Sequence, residues 1–600
     1  MSHPQGARIP AARRAAVVAG LAASLVAGVD ITRAIRPALL LDFEPSWALP
    51  RLVLWLILAA GVAVAGGTAA GAMLLWGRRR SSADPPPPLP LRRSSLLLLS
   101  AAAVVVGALA RLLALDRVPL PLWIDDLSLI PAALALEGNL RDFADAIRPA
   151  PFGMSRSFGT VGVLYLEVFR LALRAFGTSV FGIRVFPALA GVVSIATAGL
   201  LGRALLPRGG GALTAIALAG LRWHLILSRW GWVAVVLIPV IDGAALLILR
   251  ARKTARPGWA LAAGAVAGLG AHVYLSAWVA SLGLGLLCLW PASAGPLARP
   301  ARLRLGMLFA AGVLATASPL FLLREGRVTP YFARTEDHNV FKEMRYKKSR
   351  LVPMAAAADF LKAPWLAPDP TERHDIPGRS RLGWLIGVPF AVGVASCLRS
   401  PRREVSGYFL TQAGAALLAT VAGGEARNPN GFRFAYLATP VAVGIAAGSL
   451  RLVAAVRPDR RRTAALAAVG LLAIAGAGAA RDTIAVWGAS RATFDGFFGG
   501  ETLIARAALR WGSYGPVALT GADERTRLTA WAVSRYRLDP DALPPGKGRG
   551  ADERRFRVVS GSAARLFEDE RVVERVRDGW GREHAVVLGR RVDRPQRCWR

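Results

Sequence analysis

The chain has 600 residues, 54% of them hydrophobic and only 19% charged, which is too apolar for a soluble multidomain protein of this length. The formal net charge of +36 comes almost wholly from Arg, since six of the 75 basic residues are Lys. These residues flank apolar blocks instead of forming one basic stripe, so nucleic acid is not an expected partner. Cys288, Cys397 and Cys598 form neither a disulfide framework nor a metal-ligand spacing.

Apolar blocks of about 17–25 residues have the length of a helix crossing the hydrocarbon core. Taken in order, they predict crossings over 15–32, 52–76, 95–115, 184–206, 212–227, 232–249, 258–274, 275–291, 305–323, 382–398, 406–421, 433–450 and 463–480. Basic residues cluster in alternate loops, at 78–80 with 92–93, 203 with 208, 250–256, 299–304, 399–403 and 457–462. The remaining loops include two long ones of mixed sign, 116–183 and 324–381. The positive-inside rule then puts the N-terminus in the cytoplasm and the C-terminal tail outside. The apolar segment 158–176 contains Glu167, Arg170 and Arg174, each costing about 2.5–3.5 kcal/mol at a helix centre. Counting it as a crossing would also reverse every later loop. It is expected to lie on the outer face as an amphipathic helix.

These features divide the chain into four parts. Residues 1–80 form a two-helix membrane segment, whose first block, preceded by Arg8, Arg13 and Arg14, reads as a retained anchor and not a cleaved signal. Residues 81–93, opening SSADPPPPLP, are a stiff Pro-rich cytoplasmic linker. Residues 94–482 form the main bundle. Residues 490–600 read as a small extracytoplasmic α/β domain, with strands over 517–520, 556–559 and 585–588 and a helix over 523–536. It has no glycine-rich phosphate loop, and no nucleotide cofactor is expected.

The most informative stretch follows the third block: LPLWIDDLSLIPAALALEGN, residues 120–139, with Asp125 beside Asp126. Carboxylates at a low-dielectric boundary have raised pKa values, and like charges push the two apart. One can then act as a general base while the other positions a metal or the acceptor. The plainer alternative is a helix N-terminus whose acids complement its dipole. Downstream come Phe176-Gly177-Thr178 with Arg184 opening the next crossing, and His224 followed by Ser228-Arg229-Trp230-Gly231-Trp232 and Pro239. Then follow Ser318-Pro319 leading through Pro330, Tyr331, Phe332 and Arg334, and finally Phe432-Arg433, Tyr436 and Pro440. In order and sidedness this set, together with Gly138, resembles the C-type glycosyltransferases over about residues 95–480. That group includes protein O-mannosyltransferases of the glycosyltransferase family 39 kind, aminoarabinose transferases of lipid A, and oligosaccharyltransferase catalytic subunits.

The resemblance implies a polytopic α-helical membrane protein in the plasma membrane, with outer-face amphipathic helices. Its implied activity is transfer of a sugar from a polyprenyl-phosphate donor to a hydroxyl of a glycan, lipid or protein outside the cytoplasm. Asp125 would be the base, with inversion at the anomeric carbon, and Asp126 stands where Glu is common. Arg229 and Arg433, with Arg184, are the candidates for the donor phosphate, because a guanidinium donates paired hydrogen bonds and stays charged; snorkelling to headgroups is the alternative for each. His224, His272 and Arg334 are possible accessory residues, and packing within a helix is the alternative for the histidines. Several relatives carry an Asp just after the Ser-Arg that helps a divalent metal. Here the next carboxylate is Asp242, so metal dependence stays open.

The triplet Glu336-Asp337-His338 reads as a solvated turn, because consecutive side chains point apart. The basic run over 342–350, KEMRYKKSR, reads as a contact for anionic headgroups or as a solvated face. Two other functions compete. One is a transporter or flippase of lipid-linked saccharides, for which buried ionisable residues along a path would be expected; most charges here cluster at span ends and in outer loops, with Arg111 and Asp242 the main exceptions. The other is a non-catalytic scaffold with the same fold.

Overall fold

A computed structural model describes residues 86–119, 122–123, 129–130, 133–134, 163–177, 179–291, 297–318, 340–365, 373–376, 379–423, 433–497, 499–512, 517–520, 556–560 and 570–590. The first two predicted crossings, residues 81–85 of the linker, and the predicted helix over 523–536 lie outside these residues.

The bundle opens with α1 (Arg93–Leu112), α2 (Val163–Phe176), α3 (Val180–Leu205), α4 (Gly210–Ala219) and α5 (Arg222–Trp230). It continues through α6 (Leu237–Thr254), α7 (Pro257–Ala271), α8 (Ala277–Leu289) and α9 (Arg299–Ala317). Two short helices, α10 (Val340–Tyr346) and α11 (Val352–Lys362), precede α12 (Gly383–Arg399), α13 (Glu404–Gly423), α14 (Ala438–Ala455) and α15 (Arg461–Arg481). Each crossing predicted between residues 95 and 480 overlaps one of these helices, with α4 and α5 sharing one prediction.

Their lengths depart from expectation. Among the described residues six helices are long and apolar enough to cross a membrane, or seven if α4 and α5, bent by 56°, form one span. Helices α7, α8 and α12 are shorter apolar helices, because the predicted windows took in turn residues such as His272–Ser276. Helix α9 opens on Arg299, Arg302 and Arg304, which carry its first turns toward the bundle end. The segment over 158–176 appears as α2, which buries Tyr165, Leu166, Phe169 and Leu173 and exposes Leu171 and Phe176. Its Arg170 pairs with Glu167 at 2.7 Å, one turn away, as an amphipathic surface helix requires.

Helix–helix contact in lipid depends on close packing, since lipid is as apolar as the side chains. Helices α7 and α9 meet through Gly264, Gly268 and Gly312, where any Cβ would collide with the facing backbone. Helices α12 and α14 meet in the same way at Gly393 and Gly448. Helix α14 is mostly buried, whereas α1 and α15 turn most of their surface outward.

Connectors gather at two ends. At one end Arg252 donates to Glu404 at 3.1 Å and to the carbonyls of Leu287, Cys288 and Trp290, joining α6, α8 and α13. Arg208 and Leu89 are hydrogen-bonded there too, through Leu91 O and Arg208 O. These are the basic loops of the sequence pattern. The other end carries the first residues of α5 and α12 and the described residues after α15.

Beyond α15, α16 (Arg491–Gly496) and α17 (Gly499–Gly512) lead to β1 (Val517–Thr520), β2 (Phe556–Ser560), β3 (Glu570–Arg577) and β4 (Glu583–Arg590). The sheet order is β1-β2-β4-β3, with β1 and β2 parallel and the other pairs antiparallel. Helix α17 covers it, burying Ile504 and Ala508 against Val558 and Val587. Strand β3 was not foreseen; it is an edge strand of sequence ERVVERVR, whose dense charge is a common guard on such edges.

Candidate functional site

Helix α5 is the pivot of the second bundle end. All nine of its residues are buried, although three of them are Arg222, His224 and Arg229. Arg229 is fully buried and directs its whole guanidinium at main-chain carbonyls: Nη1 to Ala110 O (2.8 Å) and Arg111 O (3.3 Å), Nη2 to Ala114 O (3.1 Å) and Val118 O (3.0 Å), and Nε to Val118 O (3.3 Å). Two of these carbonyls belong to the last turn of α1, which has no intrahelical donors and favours a cation. Arg184, in the first turns of α3, reaches Leu115 O at 3.3 Å and Pro119 O at 2.5 Å. Two of the three residues expected from sequence at the donor phosphate, Arg229 and Arg184, are therefore buried, and they hold the segment 110–119.

Beneath them Arg111 donates to Gly107 O at 2.9 Å and to His224 Nδ1 at 2.6 Å. His224 Nε2 lies 2.8 Å from Ser194 Oγ, whose own proton goes to Gly191 O at 2.7 Å. The pattern assigns a neutral His224, protonated on Nε2. It joins α1, α3 and α5, the packing alternative weighed from sequence. His272 is likewise buried and donates from Nε2 to Thr316 O at 2.9 Å, tying the α7–α8 turn to α9.

The first residue of α5 does something different. Arg222 Nε donates to Asp375 Oδ1 at 3.0 Å, and its Nη2 to Arg379 O (3.2 Å) and Ser380 O (2.8 Å). Its Nη1 lies 3.8 Å from Asp482 Oδ2, which also contacts Arg379. Arg381 Nε faces Asp375 Oδ2 at 3.7 Å. Asp375 is fully buried and Arg379 is about half exposed. Sequence reasoning missed this cluster: Asp375 lies 153 residues from Arg222, and Asp482 lies further still along the chain. The available signal was the crowding of Arg and Trp at predicted span ends.

Aromatic rings line the same end. His374 stacks on Trp230 at 5.3 Å and Trp230 on Trp232 at 5.3 Å; Trp232 meets Tyr274 edge-on at 6.1 Å. Phe497 gathers Trp123 (6.5 Å), Trp230 (5.7 Å) and Trp487 (5.9 Å). The Arg373 guanidinium sits 3.4 Å above the Trp123 ring, a cation–π contact. Arg433 is half-buried beside Phe434, which packs on Phe360 of α11 at 6.1 Å. Thus Trp123, Arg222, Trp230, Asp375, Arg379 and Asp482 come together at the end that also bears Arg433.

Asp125, Asp126, Gly138, Thr178, Arg334 and the triplet 336–338 lie outside the described residues. Among the described residues no group of three His, Cys, Asp or Glu side chains is placed to hold a metal ion. Directly after Arg229 this chain has the stacked rings of Trp230 and Trp232, which offer no metal ligand.

No protein-family model matches the chain, and neither does any curated protein sequence. Among solved structures, ArnT from Cupriavidus metallidurans bound to undecaprenyl phosphate is similar over 84% of this chain and 99% of its own, with a TM-score of 0.52 at 15% identity. The apo state of the same protein is similar over 82% and 97%, with a TM-score of 0.49 at 14% identity. The chain is a polytopic helical membrane protein with the fold of ArnT, the C-type glycosyltransferase fold expected from its motifs.

Proposed function

We propose that the chain is a membrane glycosyltransferase, moving a sugar from a polyprenyl-phosphate donor to an acceptor hydroxyl at the bundle end that carries the Arg222–Asp375 cluster. The observation that carries this reading is the likeness over 84% of the chain to a protein crystallised with undecaprenyl phosphate. The sequence motifs agree, and in this reading that bundle end faces outside the cytoplasm.

In the sequence Asp125 follows Trp123 by two residues. Trp123 belongs to the aromatic cluster, and Leu129 and Ile130 just beyond are buried in the core. In this reading Asp125 takes the proton of the acceptor hydroxyl. The freed oxygen attacks the anomeric carbon from the face opposite the phosphate. A new C–O bond forms, the bond to the phosphate oxygen breaks, polyprenyl phosphate leaves and the configuration inverts. Negative charge then gathers on the leaving phosphate, where guanidinium donors stabilise it. Arg379, about half exposed, and Arg433 fill that role. Arg229 and Arg184 act one step back, holding the segment that leads into Asp125.

The test is sugar transfer in proteoliposomes from a panel of radiolabelled polyprenyl-phosphate sugars. Asp125→Asn is expected to lose transfer, by about 10²–10⁴-fold for a general base, with its folded yield intact. Equal transfer by the two proteins would overturn the assignment.

A further inference from the structure

Helices α10 and α11 lie between α9 and α12, and they present a face that the proposed reaction does not use. Helix α11 has two apolar stripes. Val352 and Ala356 are buried on the side packed against α13, and Phe360 meets Phe434. Leu351, Met354 and Leu361 recur at helical spacing on another side and are 63%, 69% and 63% exposed. Phe341 and Tyr346 of α10 and Trp384 at the start of α12 are exposed as well, at 69%, 85% and 68%. A helix confined to water has no use for a second apolar stripe; a helix lying in a membrane interface does.

The charges around this face are predominantly positive. Residues 340–362 contain Lys342, Arg345, Lys347, Lys348, Arg350 and Lys362, against two acids, Glu343 and Asp359. Both acids are matched within their own helix or its flank, by Lys347 at 3.0 Å and Lys362 at 2.8 Å. Arg345, Lys348 and Arg350 flank the exposed rings and aliphatic side chains. The segment is also fixed at the membrane boundary: Leu382 N donates to Pro364 O, and Trp365 packs on Phe390 of α12 at 5.5 Å.

We propose that α10 and α11 form a docking surface for the bilayer's anionic phospholipid headgroups. The exposed Leu351, Met354, Leu361, Phe341 and Trp384 enter the acyl boundary, while Arg345, Lys348 and Arg350 hold phosphates above it. Apolar insertion alone accounts for the stripe, but the net positive charge beside it selects an anionic headgroup. The surface would seat the loop between α9 and α12 at headgroup level, beside the start of α12 where the Arg222–Asp375 cluster lies. It does not depend on the proposed transfer reaction.

The test uses the full chain with Cys598→Ser and Leu351→Cys, labelled with an environment-sensitive fluorophore; Cys288 and Cys397 are buried. It is reconstituted in phosphatidylcholine alone or with about one-third phosphatidylglycerol, with spin-labelled lipid as the quencher. Quenching at position 351 is expected to be about fivefold stronger in the anionic bilayer. The variant K342E/R345E/K348E/R350E is expected to lose that difference. A label at Leu466→Cys on the outward face of α15 should stay quenched throughout, reporting that the variant is folded and inserted; should the quadruple variant fail there, K348E alone is expected to show a reduced difference. Equal quenching at 351 in both bilayers would overturn the headgroup assignment, and no quenching in either would overturn docking altogether.

Discussion

Arg229 separates two accounts of this bundle end, and replacing it tests them against each other. If its guanidinium holds the segment 110–119, Arg229→Ala removes its hydrogen bonds to the carbonyls of Ala110, Ala114 and Val118. Hydrogen bonds from a charged donor contribute about 1.5–3 kcal/mol each, and three would sum to about 4.5–9 kcal/mol. Removing the buried cation also removes its desolvation cost, which brings the net loss to about 3–5 kcal/mol, the usual range for breaking a buried charged contact. Arg229→Lys keeps the charge but loses the planar fork and reaches fewer carbonyls, so an intermediate loss is expected. The assay is thermal unfolding of the purified full chain in detergent, paired with binding of undecaprenyl phosphate. The prediction is a graded fall in melting temperature, Ala below Lys below Arg, with affinity changed less than about threefold (under 0.7 kcal/mol). An unaltered melting temperature combined with an affinity loss beyond about tenfold would refute the clamp and restore Arg229 as a phosphate ligand.

Three further outcomes follow from other contacts. Asp375→Ala leaves Arg222 buried without its main carboxylate and should cost about 3–5 kcal/mol; a double-mutant cycle with Arg222→Met that shows no coupling would contradict the pairing. Asp242 Oδ2 accepts from Thr197 at 2.7 Å and Thr439 at 3.0 Å, so Asp242→Asn, which keeps an acceptor oxygen, should preserve folded yield and sugar transfer. Asp242→Leu, which strands two hydroxyls, should lose about 2–6 kcal/mol; loss of function in the Asn variant at full yield would favour the transporter reading. Burial pushes the Asp578 carboxyl up, but hydrogen bonds from His584 and the Arg582 and Trp580 amides, with the charge of His584, outweigh it and hold it at about 2. A carboxyl lowered on folding stabilises above its unfolded pKa near 3.9. Hydrogen-exchange protection of residues 570–590 should therefore hold above about pH 4 and decline toward pH 2, and Asp578→Asn should remove that dependence.

Much of the fold was legible because lipid imposes a simple rule. Length and hydropathy located the helices between residues 95 and 480, and the alternation of basic loops assigned Arg252 and Arg208 to one end. Less legible was the break between α4 and α5, which hydropathy reads as one block over 212–227. The helix ends at Gly220, whose backbone approaches Gly476 of α15 too closely for any side chain, and no local pattern announces a contact so remote. The sequence motifs found α5 itself but not the partners of its cations. Span-end position suggests an Arg facing headgroups; Arg229 instead turns inward, because the end of α1 presents unmatched carbonyls. Asp375 and Asp482 were passed over for the opposite reason: each looks like an ordinary loop acid until folding sets it against Arg222.

The most direct measurement is the sidedness of the aspartate pair. A Ser128→Cys variant, in a chain whose native cysteines are replaced, is treated in intact cells with a membrane-impermeant maleimide. The account predicts labelling from outside without permeabilisation. Labelling that occurs only after the membrane is opened would contradict it, because lipid-linked sugar, acceptor and base could not then meet where the reaction is proposed to occur.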